Sequence, residues 1–154
     1  MRFDIVSDTH GHLSQELLKE LQGADYIVHA GDICSEDDFY RLMRIARLHM
    51  CLGNNDWSHE YGHAAKRVNR FTADGLRWEV CHYRERLDLS DCDIAICGHT
   101  HRPFIEHDEA SNTLIMNPGS PTFPRTNKGP TIGRIITKEG KILLAEIIEL
   151  DRQQ

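Results

Sequence analysis

Five short polar islands, Asp8-Thr9-His10, Gly31-Asp32, Gly53-Asn54-Asn55-Asp56, His82 and Gly98-His99-Thr100-His101, are spread over most of a 154-residue chain. Four of them follow apolar, strand-like runs: Phe3-Asp4-Ile5-Val6, Tyr26-Ile27-Val28, His49-Met50-Cys51-Leu52 and Ile94-Ala95-Ile96-Cys97. That order restricts the fold. Polar residues so far apart in sequence meet only if strand ends converge, and open α/β sheets converge them at the carboxyl edge.

The stretches between the islands agree with such a sheet. Ser14 to Leu21 spaces Leu17, Leu18 and Leu21 at helical intervals before Gly23. Ser35-Glu36-Asp37-Asp38 starts a second helix with Phe39, Leu42, Met43 and Ala46 on one face. Two successive strand–helix units imply a parallel core. Beyond Trp57 the pattern changes to hairpins: Val68–Thr72 with Leu76–Cys81 around Asp74-Gly75, Phe104–Glu106 with Thr113–Met116, and Thr131–Ile136 with Ile142–Leu150. The prediction is a single domain over residues 1–154, an α/β two-sheet sandwich with its site along one rim, and Pro118 to Pro130 as a loop close to that site.

His, Asp and Asn together suit borderline transition metals better than Mg or Ca, which favour more oxygen ligands. A two-metal hydrolase holds its ions roughly 3.5–4 Å apart, so that one hydroxide is shared and a phosphate oxygen is polarised by both. The islands supply about the eight ligand positions such a pair needs.

In these motifs and their order the chain resembles the calcineurin-like metallophosphoesterase superfamily, and within it the small single-domain YfcE-like phosphodiesterases, from about Met1 to about Arg125. The resemblance implies an αββα sandwich with the metal site at the carboxyl ends of the strands. It places Asp8, His10, Asp32 and His101 on a first metal and Asp32, Asn54, His82 and His99 on a second, Asp32 bridging. Two divalent ions are expected, manganese first, with nickel, iron, cobalt or zinc as alternatives. The implied activity is a phosphodiesterase or phosphatase in which a metal-bridging hydroxide attacks phosphorus in line, with Asp32, Asn54 and His99 as the catalytic set and a small phosphoester as substrate. Asn117-Pro118-Gly119-Ser120 and Pro124-Arg125 resemble the family's closing loop.

Two departures bear on the substrate. Larger members carry His where this chain has Asn55, which cannot donate an acidic proton, so leaving groups that depart unprotonated, aryl rather than alkyl, are favoured. The family's usual Gly-His after the ligand His is replaced here by Tyr83-Arg84, which puts a ring near the metals and a guanidinium suited to phosphate oxygens. Asp56 is read as orienting its neighbours rather than binding metal. Arg125 is read either as a solvated loop residue or as a phosphate contact. Two rival functions stay open: a non-catalytic interaction scaffold, as in the retromer subunit of this fold, and a nuclease.

The chain has 18 basic and 24 acidic side chains and a formal net charge of −6, which argues against general binding to a nucleic-acid backbone. No apolar stretch is long enough to span a membrane, and the protein is expected in the cytoplasm. Cys34, Cys51, Cys81, Cys92 and Cys97 are odd in number and are read as reduced thiols, three of them in strand-like runs. Exposed apolar edges leave room for a homo-oligomer. His29 is expected to pack behind the site, and His12 and His49 to be structural or solvent-facing. His59, His63 and His107 are expected at the surface, and Trp57 and Trp78 in packing roles.

Overall fold

The computed structural model describes residues 1–57, 60–62 and 65–151, so the expectations for His59 and His63 fall outside the described residues. Among these residues the order is β1 (Arg2–Val6), α1 (Gln15–Glu20), β2 (Tyr26–His29), α2 (Glu36–Ile45), β3 (Arg47–Met50), β4 (Val68–Ala73), β5 (Leu76–Cys81), β6 (Ile94–Ile96), β7 (Phe104–Asp108), β8 (Thr113–Asn117), β9 (Thr131–Lys138) and β10 (Lys141–Glu149). The strands form two five-stranded sheets, ordered β10-β9-β1-β2-β3 and β4-β5-β6-β8-β7. Strands β1, β2 and β3 are parallel, as are β5, β6 and β8, so the two sheets each direct several carboxyl ends to one rim.

Alternation along β1 explains the layering. Phe3 and Ile5 face the space between the sheets, where they meet Val28, Trp78, Ile94 and Ile96. Val6 faces the other way and packs with Ile27 under Leu17, Leu21 and Leu42 of the helical layer. Full burial of such side chains contributes about 1.5–3 kcal/mol each. Asp4, also turned from the inter-sheet space, is buried but held by Arg2 at 2.7 Å and Arg134 at 2.8 Å.

Both helices start as the sequence predicts. Ser14 Oγ accepts from the Leu17 N–H and Ser35 Oγ from the Asp38 N–H, each satisfying a donor the helix cannot pair internally. Three expectations are corrected. Met43 is 50% exposed, because α2 beds on Leu42 with Phe39 beside it and the apolar stripe is narrower than its sequence spacing suggests. The third strand begins at Arg47, not His49, since the chain passes from Ala46 directly into it, and Cys51, just past its end, still donates its N–H to His29 O at 3.1 Å and bridges Lys66. Trp57 is 68% exposed, whereas Trp78 is buried between the sheets as expected.

The predicted hairpins are present. Asp74-Gly75 and Glu139-Gly140 both have positive φ at the two central positions, the conformation of a tight two-residue connection. The outer layer of the second sheet is thin: single 3-10 turns at Arg84–Arg86 and Leu89–Asp91 lie there with a small cluster of Cys92, Ala95 and Ile115. All five cysteines are free, Cys34 half-buried and the others buried. No helix among the described residues is long and apolar enough to cross a membrane.

Candidate metal centre

Three turns past strand ends share one unusual backbone. Asp8 and His10, Asp32 and Cys34, and His99 and His101 all have φ between +49° and +70°. Side-chain-bearing residues in this region cost of order 1–3 kcal/mol each, less for Asp, so the surroundings must impose it. The β1–β2 pairing does so by continuing beyond the strands, through Asp8 N–H to Gly31 O at 2.9 Å, His10 N–H to Asp32 O at 2.9 Å and Gly11 N–H to Ile33 O at 2.8 Å. The third turn is tied to the first by the His99 N–H, which donates to Asp8 Oδ2 at 3.0 Å. Close approach explains two of the island glycines: a Cβ on Gly98 would lie 2.1 Å from Ser7 Oγ, and one on Gly53 2.1 Å from Asp32 Oδ1.

These turns bring Asp8, His10, Asp32, His82 and His101 together. Asp8 Oδ1 faces His10 Nε2 and His82 Nε2 at 3.7 Å each and His101 Nε2 at 3.2 Å. Asp32 Oδ2 lies 3.4 Å from His82 Nε2 and 3.7 Å from His10 Nε2. Asp8 Oδ1, His10 Nε2 and His82 Nε2 are buried and have no hydrogen-bond partner among the described residues. The opposite ring nitrogens are engaged: His82 Nδ1 meets Ala30 O at 2.7 Å, and His101 Nδ1 meets Phe123 O at 2.7 Å. In a neutral ring this fixes Nδ1 as the N–H and leaves Nε2 as a free lone pair. Two donors bound at about 2.1 Å to one ion, at tetrahedral or octahedral angles, are separated by roughly 3.0–3.4 Å, so these spacings and this donor set fit divalent metal ions.

The electrostatics agree. Burial opposes ionisation of Asp8, but the imidazoles of His101 and His82 and the Ser7 hydroxyl outweigh it and hold the carboxyl below its ordinary range. Asp32 is likewise lowered against burial, by His82 and Asn55. His82 is raised because Asp32, Asp8 and Ala30 O overcome its burial, and His101 is raised chiefly by Asp8. Both shifts favour the protonated imidazole beside the carboxylates of Asp8 and Asp32.

The other predicted residues surround this cluster. Asn54 is exposed at the rim. Asn55 is tied to Asp32, its N–H donating to Oδ1 at 2.9 Å and its Nδ2 to Oδ2 at 3.1 Å. Asp56 turns inward and accepts from the N–H groups of Asp32, Cys34 and Gly53 at 2.7–2.9 Å, which carries the next residue, Trp57, outward. The His99 ring is exposed, outside the buried groups of ligand atoms, and lies 4.7 Å from the Tyr83 ring and 5.1 Å from that of His82. Arg84, expected as a phosphate contact, pairs with Glu106 and lies over Phe104, its 3-10 turn pointing it toward β7. Arg86 instead covers the Tyr83 ring at 4.8 Å. Arg125 is exposed on the closing loop, close enough that its charge opposes protonation of His101.

Several supporting residues lie outside the predicted ligand set. Ser7 Oγ donates to Asp8 Oδ2 at 2.6 Å, and Ser120 Oγ to Asp8 O at 2.8 Å. Asn117 Nδ2 donates to Gly98 O at 3.0 Å, anchoring the third turn. Cys34 Sγ lies 3.8 Å from His10 Nδ1, where the other two metal-facing histidines have a carbonyl. His29 sits behind the site: its Nδ1 accepts from the Gly31 N–H, its Nε2 meets Thr9 Oγ1, and burial lowers its pKa to about 4. His49 stacks on Phe71, while His12 and His107 are exposed.

Comparison with known proteins agrees with this geometry. The calcineurin-like phosphoesterase superfamily domain matches residues 1–140. A probable metallophosphoesterase of Methanothermobacter thermautotrophicus is 30% identical, the match covering 96% of this chain and 92% of that protein. Among solved structures, an archaeal phosphodiesterase superposes with a TM-score of 0.77 at 22% identity, covering 96% of this chain and 100% of its own. Wild-type Vps29 of Entamoeba histolytica, complexed with Zn2+, superposes with a TM-score of 0.72 at 19% identity, covering 97% and 99%.

Proposed function

This chain belongs to the calcineurin-like phosphoesterase superfamily, and on that premise we propose that it hydrolyses small phosphodiesters with two divalent ions, manganese foremost. The observation that carries the reading is the set Asp8 Oδ1, His10 Nε2 and His82 Nε2, buried and unpartnered, with each imidazole nitrogen 3.7 Å from the carboxylate oxygen. Leaving such groups uncompensated is costly, and bound cations compensate them. Asp8, His10, Asp32 and His101 would hold one ion, and Asp32, Asn54, His82 and His99 the other. Bound there, the ions supply Lewis acidity and an activated water nucleophile for in-line displacement at phosphorus.

The remaining steps belong to side chains. Asn55 holds both oxygens of Asp32 and so fixes the carboxylate shared by the two positions. His99, exposed beside Tyr83, offers a ring N–H to a phosphate oxygen, with Arg125 contributing charge across the rim. Asn55 has no acidic proton, so nothing at that position protonates a leaving group, which favours aryl esters.

The test is turnover of bis(p-nitrophenyl) phosphate by chelator-stripped protein with Mn, Ni, Co, Zn and Mg restored one at a time. Metal-dependent turnover that Asp32→Asn abolishes is the expected result. Silence with two ions bound would favour the second reading, an interaction scaffold, to which the likeness to zinc-bound Vps29 lends support.

A further inference from the structure

Trp57 has no packing role to explain it. Its indole is 68% exposed, on the segment that leaves the Asn54–Asp56 turn, and it borders a cleft of about 350 Å³ with Leu52, Asn54, Asn55, Asp56 and Arg67. The cleft adjoins the metal centre directly, since Asn54 stands at its rim and Asn55 hydrogen-bonds both oxygens of Asp32. Asp56 contributes no free anionic edge, because its two oxygens accept three backbone N–H groups and face inward.

Several arginines are matched to carboxylates, Arg70 to Glu79, Arg77 to Asp91 and Asp93, Arg134 to Asp4 and Glu20 and Arg84 to Glu106. Arg67 is exposed at the cleft and, among the described residues, pairs with no carboxylate. A flat aromatic face, a free five-donor fork and two amides beside a phosphate-binding centre match a planar, acceptor-rich ring joined to a phosphate.

We propose that this cleft is the subsite for the nucleoside on the side of a nucleotide-type phosphodiester that does not leave, its base stacked on Trp57 and its acceptor edge met by Arg67. The proposal rests on the phosphodiesterase reading for the seat of the phosphate, and it adds the substrate class. Base–aromatic stacking tolerates any base, so the subsite selects for a ring rather than for one nucleotide.

Calorimetry on the Mn2+-loaded chain with adenosine 5′-monophosphate and inorganic phosphate as probes tests it. The nucleotide should bind more tightly than phosphate, and Trp57→Ala should shrink that advantage by about 5- to 150-fold, the range of one base–aromatic contact. Trp57→Phe should keep most of the advantage, and Arg67→Gln should reduce it. Equal binding of the two probes by the parent protein, or an advantage that survives Trp57→Ala, overturns the subsite. Turnover of the aryl diester, measured on the same preparation, separates the two readings. A nucleotide advantage without turnover keeps the subsite and removes the hydrolase, and turnover without the advantage does the reverse.

Discussion

Asp8 Oδ1 and His82 Nε2 lie 3.7 Å apart, both buried, and neither has a hydrogen-bond partner among the described residues. Asp8 comes from the end of β1 in one sheet and His82 from the end of β5 in the other, so the centre spans the sandwich. Anything that fills the space between them therefore joins the two sheets as well.

Metal should accordingly stabilise the whole fold. At about 100 times its dissociation constant an ion adds about 2.7 kcal/mol, which for a chain of this size raises Tm by roughly 5–11 °C. Thermal unfolding with and without Mn2+ measures this, and Asp8→Asn should remove most of the shift. A Tm indifferent to every divalent ion would contradict the metal centre.

The metal-free protein should be most stable close to pH 6.5, the ordinary histidine value. His82 and His101 have raised pKa values, so their stabilisation is complete below 6.5 and is lost as pH rises through the folded values. His29, lowered to about 4, and His49, also lowered by burial, act oppositely: the unfolded chain takes up their protons first, and stability falls as pH drops below 6.5. Metal displaces the protons on His82 and His101, so with Mn2+ present the loss of stability above pH 6.5 should disappear. Unfolding curves at pH 5.5, 6.5 and 8 show the sign on each side.

Asp56→Ala should cost about 3–5 kcal/mol in urea unfolding, because it strands the buried N–H groups of Asp32, Cys34 and Gly53. Asp56→Asn keeps one acceptor oxygen and should cost less. Equal stability of Asp56→Ala and the parent would mean that the clamp is dispensable.

Gly98→Ala should impair metal binding more than folding. Its Cβ meets Ser7 Oγ and Asp8 Oδ2, the latter at 2.7 Å, and displaces the carboxylate while leaving both sheet cores untouched. Mn2+ affinity compared with urea stability separates the two effects.

If the phosphodiesterase reading holds, kcat/KM for an aryl phosphodiester should exceed that for glycerol phosphate by about 10²–10⁴, the usual contribution of the general acid that Asn55 cannot provide. Comparable rates on both substrates would show that another group protonates the leaving oxygen.

The strand-then-island order was legible in the sequence because both signals are local: apolar runs specify strands, and Asp, His, Asn and Gly just beyond them mark ligand-bearing turns. Serine caps at Ser14 and Ser35 and the Asp74-Gly75 turn were legible for the same reason. What only the tertiary structure decided depends on neighbours distant in sequence. The left-handed turns at Asp8, Asp32 and His101 arise from pairing that continues past the ends of β1 and β2 and from contacts across the two sheets. The inward turn of Asp56 exposes Trp57, and Glu106 on a remote hairpin captures Arg84. Sequence specifies which residues can bind metal; orientation, partner and exposure follow from backbone geometry that is fixed only when both sheets close on one rim.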